Sequence, residues 1–147
     1  MRINAKDYLE AARDRITDAH NLYDIGRYSF SLYAAGLAVE SLFRAYRILR
    51  NPEFDERHDL KFLFAESEIE KFVTTPEHVE ISDLNLAVYM RWKNDLRFAS
   101  EDRLRRRLKK LGLARGLKGD FLKENSRLSI AAATRIIKIG VAKWPHR

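Results

Sequence analysis

The chain has 147 residues, 28 of them basic and 21 acidic, a net charge of +7 and no cysteine, which excludes a disulfide framework and any thiolate metal centre. That length can bury a sizeable core without staples, so a single domain over residues 1–147 is expected. The longest apolar run is about half of what a bilayer span needs, and the opening MRINAKDYLEAARDR never becomes the apolar core of a leader peptide; a cytoplasmic protein that does not enter the membrane is expected.

Asn4 is a candidate helix cap with Asp7 at the third helical position. Tyr8, Leu9, Ala12, Ile16, Ala19 and Leu22 then keep a helical period for about five turns, and Gly26 ends them. The short link at 26–28 forces an antiparallel return, so a second helix folds back as a hairpin until Asn51-Pro52 stops it. This second segment holds the most apolar run, LYAAGLAVESLFRAYR, with Glu40 in the middle of its apolar face. Ala34, Ala35 and Gly36 are small enough to let a neighbour come close. After an acidic loop, a third helix is expected from His58-Asp59-Leu60 to about Phe72, broken by Thr74-Thr75-Pro76. Ser82-Asp83 would cap a fourth running from Leu84 to about Ala99, and Ser100, followed by two acids, a fifth that ends at Gly112. Asp120 opens the last, which stops at Pro145. No segment alternates apolar and polar residues over a strand's length, so the fold class is all-α, an up-and-down bundle of five or six helices.

The charge is unevenly placed. Residues 103–118 hold eight bases, among them Arg103, Arg106, Arg107 and Lys110, and no acid, which exceeds the net charge of the whole chain. Such a segment suits a phosphate-bearing or acidic partner. Leu104, Leu108 and Leu111 are also spaced as the buried side of a helix, so the same bases read equally well as its solvated face.

The pattern Leu22-Tyr23-x-x-Gly26-Arg27-Tyr28 and the run Ala38-Val39-Glu40-Ser41-Leu42-Phe43-Arg44-Ala45 resemble the HEPN domain, whose hairpin carries an A-x-E-x-x-x-(Lys/Arg)-Ala signature. The triplet His58-Asp59-Leu60 looks like the start of that family's third helix. Trp92 to Phe98 looks like the polar stretch that carries its functional arginine, which would be Arg97. The resemblance implies a compact, commonly dimeric helical domain that binds or acts on RNA or nucleotides. Many such domains are metal-independent ribonucleases with an Arg-x(4-6)-His motif, often toxins, or partners of small nucleotidyltransferases. Here no histidine follows Arg97 within that range. Arg13 and Arg15 do reach His20 at the allowed spacings, but in the first helix, where Arg15 and His20 are turned about 140° apart.

Glu40 and Arg44 stand at i and i+4 with the acid first, the favourable order for a helical ion pair, and a carboxylate on so apolar a face needs a partner. It would either pair for structure alone or line a pocket and orient Arg97 or Asn94. Arg97, with Asn94 and Asp95 before it, is the leading candidate for a phosphate contact, since guanidinium offers a planar fork; a salt bridge from Asp95 is the competing reading. His58-Asp59 reads first as a helix-start cap, and His78 and His146 fall in or near loops. No histidine has another three or four residues away, and there is no phosphate-cradling glycine loop or serine nucleophile motif, so no metal, cofactor or catalytic residue is assigned. Three functions follow: a homodimeric, non-catalytic module holding RNA or a nucleotide, working beside a nucleotidyltransferase or antitoxin partner; a ribonuclease whose histidine comes from elsewhere; or a structural oligomer with a solvated basic face.

Overall fold

The first helix begins where its sequence provides a reciprocal cap. Asn4 Oδ1 accepts from the Asp7 amide at 2.8 Å and the Asp7 carboxylate accepts from the Asn4 amide at 2.9 Å, fixing the start of α1, Ala5–Asp24. Gly26, at φ +80°, makes the left-handed step that turns the chain into α2, Tyr28–Arg50. The computed structural model describes residues 2–53 and 56–145; His146 and part of the acidic link after Pro52 lie outside the described residues.

From Ser31 to Arg47 every residue of α2 except Leu37 is buried, as expected of a helix apolar nearly all round. It is the axis of the bundle. α1 covers one side and α6, Phe121–Ala142, another. Ser31 Oγ donates to the Ala19 carbonyl, and Tyr46 and Ser126 bridge α2 and α6 through the carbonyls of Gly140 and Tyr28. A Cβ at Gly140 would come within 2.5 Å of the tip of Leu42, so any side chain there would have to push that tip aside at the α2–α6 crossing.

The middle of the chain departs from its sequence pattern. α3 is only Leu60–Ser67, with Asp59 capping it at the Phe62 amide, and does not continue to Phe72. The Ser67 hydroxyl donates to the Phe64 carbonyl and accepts from the Ile69 amide, competing with the helix for its own backbone. Glu68 then takes the left-handed conformation at φ +48°, and Ile69–Lys71 is a single 3-10 turn.

Pro76 starts a helix rather than only ending one. Thr74 and Glu77 form a second reciprocal cap, and α4 runs Thr75–Tyr89 straight through Ser82-Asp83, which cap nothing. α4 also stops ten residues short of Ala99. The chain turns inward at Trp92, and Asn94–Phe98 is a 3-10 turn, so Arg97 does not lie on a fourth helix. α5, Glu101–Lys110, is capped by Ser100 as expected, and Asp120 caps α6 through the Leu122 and Lys123 amides. The described residues form an all-α bundle of six helices and two 3-10 turns, with no strand among them.

Candidate functional site

The site is assembled from two irregular segments, and α2 holds both. Glu40, Arg44 and Arg47 follow each other at i, i+4 and i+7, making one polar stripe on an otherwise apolar helix. The stripe faces the link between α2 and α3. Arg44 donates to the Arg57 carbonyl at 2.7 Å, Arg47 donates to the Glu53 carbonyl, and Glu40 meets His58. The Glu40 carboxylate, only 5% exposed, has both oxygens engaged: Oε2 by Arg44 Nε at 3.1 Å and Oε1 by His58 Nδ1 at 2.9 Å. Buried ion pairs persist when the remaining lone pairs find donors, which His58 supplies here. Among the described residues His58 Nε2 has no hydrogen-bond partner, and the ring lines an open cleft.

The other wall is the segment after α4. Gly36 leaves room on α2, and the Trp92 indole fills it: a Cβ there would lie 2.0 Å from Trp92 Cδ1. The neighbour admitted by the small residues of α2 is thus an indole. Trp92 Nε1 donates to the Tyr33 carbonyl at 3.0 Å, and the two rings stack 6.1 Å apart. Arg91 next to it donates to Asn125 Oδ1 of α6 at 2.7 Å. With Arg91 and Trp92 facing inward, Lys93, Asn94 and Asp95 are left at the cleft.

α5 closes the third side. Leu104 and Leu108 are buried, and Arg107, on the flank between them, donates to the Arg91 carbonyl at 3.1 Å. Two adjoining hollows of about 350 and 400 Å³ result, sharing Lys93 and Arg107. His58 and Asn94 line the first, and Asp95, Arg103 and Phe98 the second. Burial holds the Arg107 guanidinium below the ordinary arginine value, against the pull of the Asp95 charge, and burial lowers Arg91 as well. Neither guanidinium has a carboxylate at ion-pair distance among the described residues. Arg105, on the far flank of α5, does have one: it clamps Asp120 through two nitrogens, raising its own value and depressing that of Asp120.

The sequence candidates are therefore divided. Asn94, Asp95, Arg103 and Arg107 meet at the cleft. Glu40 and Arg44 lie behind its wall, and Glu40 bonds His58 rather than Arg97 or Asn94. Arg97 lines neither hollow: its guanidinium folds back onto the Asn94 carbonyl at 2.7 Å and lies 4.5 Å from the exposed Phe98 ring. Arg106 and Lys110 are exposed on α5 away from both hollows. His20 bonds Thr134 of α6 at 2.9 Å. The residues that sequence reasoning passed over are His58, read as part of a cap, and Lys93. The stripe at 40, 44 and 47 was visible in the spacing; what it would hold was not.

Among the described residues no group of three or more His, Asp or Glu side chains is placed to hold a metal ion, and no helix is long and apolar enough to cross a membrane. The family model described as HEPN domain matches residues 5–141. No curated protein and no solved structure matches the chain. A match over nearly the whole length, on an all-helical fold, places the chain in the HEPN domain family and supports a nucleotide- or RNA-related role.

Proposed function

We propose that the cleft holds the phosphates of RNA or of a nucleotide and does not cleave them. The observation that carries this reading is Arg107, a half-buried guanidinium with a backbone carbonyl but no carboxylate for company, on the wall shared by both hollows. A desolvated cation in this state gains most from an incoming anion, and its planar fork suits phosphate oxygens. Lys93 and Arg103 flank it, and Asn94 and Asp95 offer an amide and a carboxylate to sugar or base. Phe98, 79% exposed at the lip, presents a ring face on which a base can stack. Arg97, Arg106 and Lys110 extend the positive field beyond the cleft. In this reading the protein works as a homodimer, in company with an antitoxin or a nucleotidyltransferase. The apolar groove of about 540 Å³ beside Ile25, Phe30 and Leu37 gives a second copy a surface to cover. The test is retention of a labelled single-stranded RNA: wild type binds with a steep loss on adding salt, and Arg107→Ala binds about tenfold more weakly with a shallower slope. Equal retention by both proteins overturns the reading.

One observation favours a second reading, cleavage. The His58 ring is oriented by a buried carboxylate and turned toward the same cleft as Arg107, although it stands outside the usual Arg-x(4-6)-His motif. There His58 Nε2 takes the proton of a ribose 2′-hydroxyl, O2′ bonds to phosphorus, and the P–O5′ bond breaks. The leaving oxygen takes a proton from water, and Arg107 steadies the charge on the phosphate. Incubation with RNA on a denaturing gel separates the readings: cleavage that ends in a 2′,3′-cyclic phosphate and is lost in His58→Ala selects the second, and intact RNA selects the first.

A further inference from the structure

A roomier cavity than either hollow lies elsewhere. It measures about 690 Å³, is bounded by the first half of α1, the end of α2, the turn after α3 and the chain beyond α6, and shares no lining residue with the cleft. Glu40, behind the cleft wall, and Arg50, at the cavity, are about 15 Å apart along α2.

Three aromatic rings form one wall. Tyr46 is buried and anchored by its hydroxyl on the Gly140 carbonyl at 2.6 Å. Phe72 and Trp144, both half-buried, pack edge-on against it with centroids 5.2 and 5.0 Å away. Opposite them α1 offers Lys6 and Arg13, two turns apart on one face, neither with a carboxylate at ion-pair distance among the described residues. The third side is the helix break at Glu68, a non-glycine residue at φ +48°. Its carboxylate is tied to Arg50 and, at 2.8 Å, to Lys71. That break is what brings Lys71 and Phe72 to the cavity, and left-handed strain in such a residue is concentrated at functional edges. Lys6, Arg13, Arg50 and Lys71 outnumber Glu10 and Glu68, so the lining carries net positive charge.

We propose that this cavity is a second ligand site, for a small planar aromatic anion: the ring lies against Phe72 and Trp144, and the carboxylate or phosphate meets Arg13 and Lys6. Aromatic walls with a few placed polar groups, in a cavity of this size, are the usual form of a small-ligand site. The site is independent of RNA binding in the cleft.

The two tryptophans report on the two places, since Trp92 lines the cleft and Trp144 the cavity. Full-length protein labelled with nitrogen-15 is titrated with 2-naphthoate in one arm and adenosine monophosphate in the other, following the indole N–H signals, with Trp144→Phe assigning them. A saturable shift of Trp144 with Trp92 unmoved is expected in at least one arm, and the arms distinguish a carboxylate source from a phosphate source. Lys6→Ala/Arg13→Ala, a pair of exposed positions that leaves the fold intact, should weaken binding at least tenfold. Glu68→Gly should strengthen it several-fold, because it relaxes the backbone and frees Lys71, while Arg50 keeps its bond to Glu66. No saturable Trp144 shift with either probe, or movement of Trp92 alone, overturns the proposal; so does a double variant that binds like wild type.

Discussion

Two parts of the surface carry many cations and treat them in opposite ways. On the α4–α6 flank three of them have a carboxylate: Arg127 meets Glu124, Arg135 meets Glu80 through two nitrogens, and Lys143 reaches Glu77. Around the cleft Lys93, Arg103 and Arg107 have none at ion-pair distance among the described residues, and the one base of α5 that does, Arg105, faces away from it. The flank is built of regular helices alone, while the cleft sets α5 against a link and a 3-10 turn pinned to α2 from outside. Paired charge there decorates a surface that folds without it. Unpaired charge gathered where α5 meets irregular backbone is what the proposed phosphate binding would use.

The strongest way to break this contrast is to cut the pins. Glu40→Ala deprives Arg44 of its buried ion pair and His58 of its anchor, and should cost about 3 kcal/mol in urea unfolding. Glu80→Ala on the flank should cost under about 0.5 kcal/mol, as exposed pairs do. Next comes Gly36→Ala, whose methyl overlaps the rigid Trp92 ring and should cost about 2–3 kcal/mol while releasing the Trp92 indole from the Tyr33 carbonyl. Gly140→Ala meets only the movable end of Leu42 and should cost less. Calorimetry ranks the two.

Binding sharpens the contrast further. Arg107→Ala should lose about 1.4 kcal/mol of RNA affinity, a factor of ten, whereas Arg135→Ala, which removes an equal charge from the flank, should change it little. The smallest effect is on acid stability. Arginine partners depress Glu80 and Glu124, while Glu77 is depressed first by the Thr74 backbone amide, then by the Thr74 hydroxyl and Lys143. Groups with lowered folded values stabilise the protein above the ordinary carboxylate range, and that contribution disappears as pH falls below about 4 and on through the lowered values. A melting-temperature series should decline over that interval, and Glu77→Gln/Glu80→Gln should flatten the decline while Arg107→Ala leaves it unchanged.

What the sequence made legible was local. The Asn4–Asp7 cap, the hairpin at Gly26, the Glu40–Arg44 pair and the Ser100 and Asp120 starts each rest on residues within four of one another, and each stands in the structure. Pro76 was misjudged although Thr74 and Glu77 around it spelled a cap, a signal four residues long that the proline masked. The end of α4 had no such signal. It depends on Trp92 reaching Tyr33, fifty-nine residues back, and a helical period cannot announce that. For the same reason Arg97 looked central and Arg107 did not: both are arginines among polar neighbours, and only the fold turns one back on its own chain and sets the other in the wall.

The stripe on α2 has one more consequence. Arg44 and Arg47 grip the link between α2 and α3 by its carbonyl oxygens, which every residue type presents alike. The path of that loop at these two points is thus written in a different stretch of the polypeptide; its own letter at Glu53 can drift without rerouting it, whereas Arg57 also lays its guanidinium over the Phe62 ring. Selection can then retune what the loop displays to the cleft while the course it follows stays put.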